Sequence, residues 1–159
     1  MNAAYPLAVH DFDFIHGHWS IANRRLKTRG VGADDWEVFA STAFCEPRLD
    51  GLVNVEQISC PERGWTGMSL RSFDLERGEW AIWWISTANG QLQPPVRGRF
   101  HDGGCVLEGT DMDGERPILA RYIWSDIEPG TARWTQTFSY DAGATWEDNW
   151  IMDFTRAAQ

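Results

Sequence analysis

The spacing of its turns most constrains what this chain can fold into. Glycine-bearing turn signals recur at short, even intervals: "DLERGE" after Phe73, "HDGG" from His101, "DMDGERP" after Thr110, "EPGT" from Glu128 and "YDAGAT" from Tyr140. Each is the chemistry of a β-hairpin. The residues between them alternate, and helical periodicity is almost absent. The pattern predicts strands near Trp19–Thr28, Glu37–Glu46, Leu52–Cys60, Trp65–Phe73, Trp80–Ala88, Val96–His101, Val106–Asp111, Ile118–Trp124, Arg133–Tyr140 and Trp146–Arg156. Only the residues up to Ile15 have room for a short helix, and Pro6 limits its start. No connection is long enough for a Greek-key crossover. The expectation is therefore an all-β, up-and-down antiparallel barrel of about ten strands, in one domain over residues 1–159.

Composition narrows the partners. There are 14 basic and 23 acidic residues, a formal charge of −9. Such a field repels phosphate backbones, which argues against nucleic acid. The apolar run "WAIWWI" at Trp80–Ile85 is too short to span a bilayer, and no basic amphipathic stretch suggests a membrane surface. The N-terminus lacks the charged and apolar regions of a signal peptide. Cys45, Cys60 and Cys105 are odd in number and widely spaced, which suits free thiols in a cytoplasmic protein.

The two ends of the chain carry a resemblance. "DFDFIHGHW" at the front and "TFSYDAGATWEDNWIMDFTR" at the back are similar to a bacterial calycin-like family of largely unassigned function. Its members open with F-D-F-x-x-G-x-W and close with W-x-x-x-F-x-R. "LRSFDLERGEWAIWW", "PPVRGRF" and "RPILARYIWSDI" extend the likeness over most of the chain. The resemblance implies a ten-stranded, lipocalin-like barrel and no reaction. It also implies that Gly17 and Trp19 close one end beneath a basic side chain from the last strand, here Arg156.

Several motifs compete for a functional reading. His18 should point away from Trp19 on an extended strand, with His16 on its side. A zinc site would need further ligands at metal-binding spacing, and His10, His101 and the cysteines do not supply it, so no metal is expected. "SYDAGATW" has the form of a sialidase Asp-box turn. A propeller would repeat it, so it is read as one hairpin tied by Asp141 with Gly143 at positive φ. No nucleophile elbow, zincin, phosphate-loop or Cys-x-x-Cys motif occurs.

The suggestive polar residues lie on strands. Asn54 and Glu56 share one face of "LVNVEQISC", opposite Val53, Val55 and Gln57. Turned inward, they could orient a substrate and remove a proton. Alternation with valine favours the opposite parity, with the valines in the core. Arg71 and Arg121 could hold a carboxylate, phenolate or enolate in a planar fork of donors. Trp84, Trp134 and Gln136 would line the pocket, and ten tryptophans suit a flat aromatic guest. The expectation is a cofactor-independent acid/base enzyme of lyase or isomerase type acting on a small apolar or aromatic molecule. Glu56 would be its base, oriented by Asn54, with Arg71 beside them. A non-catalytic lipocalin-like carrier and a haem-binding barrel with a histidine ligand are the alternatives. A homodimer through an exposed aromatic face, with Trp83 a candidate, is also open.

Overall fold

The computed structural model describes residues 4–158. Ten antiparallel strands run β1 Gly17–Leu26, β2 Trp36–Arg48, β3 Val53–Cys60, β4 Trp65–Asp74, β5 Glu79–Ser86, β6 Val96–His101, β7 Gly104–Asp113, β8 Arg116–Glu128, β9 Thr131–Ser139 and β10 Glu147–Arg156. Each pairs with its neighbours in sequence, and β1 pairs with β10 to close the barrel. Short 3₁₀ turns at Leu7–His10 and Asp13–Ile15 form the N-terminal helical segment. Among the described residues, no helix is long and apolar enough to cross a membrane.

That N-terminal segment plugs one end of the barrel. Val9, Phe12 and Ile15 are buried, and the Phe12 ring meets Trp80 and Phe100 edge-on at 5.0 and 4.8 Å. Trp19 Nε1 donates to the Ile15 carbonyl at 2.8 Å. The Arg156 guanidinium carbon lies 4.3 Å from the centre of the Trp19 ring, and its nitrogens donate to the carbonyls of His16 and Phe14, each at 2.8 Å. Gly17 has φ +105°, and a Cβ there would stand 2.9 Å from Arg156 Nη1. Glycine is thus required for both the backbone and the approach of the guanidinium. Arg156→Met should remove the two charge-assisted bonds and weaken the stacking. A loss of about 1–2 kcal/mol is expected for this exposed tie, read from urea unfolding midpoints. An unchanged midpoint would mean the plug docks without it.

The parity of β3 corrects the valine-core expectation. Asn54, Glu56, Ile58 and Cys60 are buried inside the barrel, while Val53 and Val55 are only partly covered and face out. Register explains the choice. Cys45, Glu56, Ser69 and Trp84 lie opposite one another across β2 to β5 on the inner face. Val55, Leu70 and Trp83 form the adjacent outer row, so the valines pack beside apolar exterior neighbours.

Arg121 is corrected in the other direction. On β8, Ile118, Ala120 and Trp124 are buried inward, so Arg121, of opposite parity, points outward. Its Nε donates to Glu108 Oε2 at 2.6 Å, directly across the β7–β8 ladder, and its guanidinium lies 3.8 Å from the Trp146 ring centre. It does not reach the interior.

Candidate functional site

Inside the barrel, β3 and β4 bring three polar side chains into one buried cluster. Asn54 is directly opposite Arg71 in the ladder, and Glu56 is opposite Ser69. Arg71 Nη1 donates to Asn54 Oδ1 at 3.0 Å, and Nη2 donates to Glu56 Oε1 at 2.8 Å. The Glu56 and Arg71 side chains are 1% and 3% exposed, so this ion pair is fully inside. The guanidinium also lies 5.3 Å from the Phe12 ring centre and 5.6 Å from that of Trp124.

Electrostatics follow from that packing. Burial by itself would lower the Arg71 pKa. The Glu56 charge, the nearby Cys45 sulfur and the bonds to both outweigh it and hold the guanidinium above its ordinary range. Arg71 Nη1 reaches Cys45 Sγ at 3.9 Å. Burial still pushes the Cys45 thiol up to about 12, against a smaller opposing pull from Arg71, so the thiol is neutral and a poor nucleophile. Burial likewise raises Tyr122, which remains a phenol able to donate.

Above the cluster lies a cavity of about 40 Å³, lined by Glu56, Ser69, Arg71, Trp84, Trp124 and Gln136 among others. That is roughly three times the room one water needs. Trp134, Trp150, Tyr122 and Met152 complete much of the apolar wall. Trp84, Trp134 and Gln136 line this cavity, and Arg121 does not. The small volume refines the aromatic-guest expectation: it is about a quarter of the roughly 150 Å³ that holds benzene, so even a single ring must displace a side chain.

Indoles and arginines crowd the open end. Trp84 rests against Gly67, where any Cβ would collide with the indole ring. Trp65 meets Trp150 edge-on at 5.8 Å, and Trp134 meets Trp150 in the same way at 5.8 Å. Arg25 lies 4.9 Å from the ring centres of both Phe39 and Trp150 and is held by Glu37 at 3.1 Å. The β1–β2 connection reaches over this end, where Arg29 pairs with Asp113 at 2.7 Å and the Gly30 N–H donates to Glu147 at 2.7 Å.

Sequence reasoning missed part of the wall. Trp124 and Tyr122 share the inward parity of Ala120, a signal present in the alternation itself. Asn149, the buried partner of the lining residue Gln136, left no such signal. An irregularity between Asp148 and Trp150 on β10 buries it completely, and its Oδ1 accepts from Gln136 Nε2 at 2.8 Å. The histidines lie elsewhere, and none of the four lines the cavity. His18 stacks on Phe44 on the outer face, His10 pairs with Asp13 and His101 is exposed beside Asp102. His16 is half-buried at the plug, where burial lowers its pKa.

No family model matches the chain, and no curated protein matches it by sequence. Among solved structures, the barrel is similar to that of the S-type phycobiliprotein lyase CPES from Guillardia theta, with a TM-score of 0.58 over 96% of this chain and 94% of that one. The two are 11% identical, so the likeness is one of fold: a ten-stranded, lipocalin-like barrel.

Proposed function

We propose that the barrel binds a small, flat organic molecule and moves a proton on it without a cofactor, as a lyase or isomerase does, with Glu56 as the base. One observation carries this reading. Arg71 and Asn54 engage one side of a buried polar cluster, while Glu56 Oε2 has no partner within the protein and its side chain lines the cavity. A carboxylate fixed by its other oxygen is held in one orientation, which a proton acceptor requires. Arg71 then acts as a positioning residue and a source of positive potential for developing negative charge. Trp84, Trp134 and Gln136 form the walls that select the guest. A lyase among the similar structures supports an enzymatic use of such an interior.

A carrier is the second reading, and the Arg71–Glu56 pairing itself favours it, because an internally compensated pair suits a neutral passenger. Deuterium exchange separates the two. Cyclohexanone and cyclohex-2-enone, incubated with the protein in D2O and followed by NMR, should take up deuterium beside the carbonyl faster than in buffer. Glu56→Gln should lower that catalysed rate by about 10²–10⁴-fold. Binding of both ketones with exchange no faster than in buffer would leave the carrier.

A further inference from the structure

Three buried polar atoms of cavity-lining residues have no partner within the protein: Glu56 Oε2, an acceptor, and Arg71 Nε and Trp124 Nε1, both donors. The Glu56 and Trp124 side chains stand on separate strands, β3 and β8, and are 1% and 2% exposed. Arg71 links them. It bonds Glu56 Oε1 through Nη2, and its guanidinium carbon lies 5.6 Å from the centre of the Trp124 ring. Three other indoles of the barrel are satisfied internally. Trp19 donates to Ile15, Trp80 to Ala8 and Trp150 to Asn23. Trp65 Nε1 is also unpaired, but Trp65 is not part of the cavity lining.

An indole N–H can only donate, and a carboxylate can only accept. Leaving one of each buried and unpaired is costly, so a guest that satisfies both gains more than one that satisfies either. We infer that the guest carries a donor and an acceptor on one flat ring: a ring N–H conjugated with a carbonyl, as in a cyclic lactam. The inference rests on the proposal that Glu56 faces the ligand. The donor goes to Glu56 Oε2 and the carbonyl oxygen accepts from Trp124 Nε1.

Trp124 thereby becomes a catalytic residue. Proton removal by Glu56 breaks the N–H bond, and the electron pair moves to the carbonyl oxygen. The indole N–H meets the charge that develops there. Return of the same proton from Glu56 to another ring atom completes a tautomerisation, with no other reactant consumed.

Calorimetric titration with three single-ring probes tests this. 2-Pyridone has both groups, N-methyl-2-pyridone has only the acceptor, and pyrrole has only the donor. The wild-type protein should bind 2-pyridone at least about tenfold more tightly than either of the others. Trp124→Phe should reduce its advantage over pyrrole to about twofold or less while leaving the affinity for pyrrole unchanged. Glu56→Gln should weaken 2-pyridone and pyrrole several-fold and spare N-methyl-2-pyridone. If Trp124→Phe keeps the preference for 2-pyridone over pyrrole, Trp124 has no such role, whatever the exchange assay says of Glu56. Loss of exchange in Glu56→Gln alongside an unranked probe series would overturn only the ligand class. No binding of any probe by the wild-type protein overturns the inference outright. The wild-type ranking needs no variant, so the test holds even if Trp124→Phe folds poorly.

Discussion

Arg71→Ala is expected to destabilise the protein by about 3–5 kcal/mol, lowering its melting temperature by roughly 10 °C or more. The cost comes from what remains behind. Glu56 would be left at 1% exposure with its only bonded partner gone, and Asn54 Oδ1 would lose its donor too. Removing one member of a buried pair exposes the full desolvation penalty of the other. Removing both is another matter. Arg71→Met combined with Glu56→Gln discards both charges and preserves most of the volume, and replacement of buried pairs by apolar groups is often neutral. The double variant should therefore be more stable than Arg71→Ala. Urea unfolding and calorimetry on the two proteins decide it. Equal losses would show that the guanidinium is needed for its stacking on Phe12 and Trp124, which methionine does not supply, and not as a counter-ion.

This network was half legible in the sequence. Asn54, Glu56 and Arg71 could be named because polar residues on alternating strands are conspicuous, yet their parity could not be fixed locally. A strand tells which residues share a face and not which face is inside. Here the valines that argued for an inverted β3 found apolar neighbours in Leu70 and Trp83 across the outer ladder. That is a long-range pairing that no window of β3 contains. Arg121 was legible and misread: Ala120, Tyr122 and Trp124 set the inward parity of β8 and leave the arginine outside. Asn149 was hidden, since its inward turn comes from an irregularity with neither Gly nor Pro to mark it.

Strand number and order were the easiest part for the converse reason. Hairpins are written in a few consecutive residues. Gly78, Gly103, Gly114 and Gly143 all take positive φ in the turns where they were expected. Asp141 binds the Thr145 N–H and hydroxyl at 2.8 and 2.6 Å, closing its own loop. The size of the cavity belongs with parity among the non-local properties. It depends on how far indoles from β5, β8, β9 and β10 reach across the barrel, and composition only guarantees that they must lie somewhere.

Gly98→Ala should cost about 3 kcal/mol, at the upper end of what one added methyl does in a packed core. Its Cβ would collide with the Val106 carbonyl oxygen and stand 3.0 Å from Leu107 Cα. Both are backbone atoms of β7, so no rotamer change relieves the clash. The strand must move. β6 is poorly placed to move, because it pairs with β5 only over Val96–Gly98. Displacing it strains the shortest seam of a barrel that has no free edge to absorb the shift. Gly67→Ala provides the contrast, since the obstacle there is the Trp84 side chain. An indole at the open end can swing, so that variant should lose less stability while changing tryptophan fluorescence and the space available to a guest. Denaturation midpoints that rank Gly98→Ala well below Gly67→Ala would confirm that the β6–β7 contact is held by backbone. A loss below about 1 kcal/mol for Gly98→Ala would instead mean that this seam yields, and with it the rigidity the cavity needs to hold Trp124 opposite Glu56.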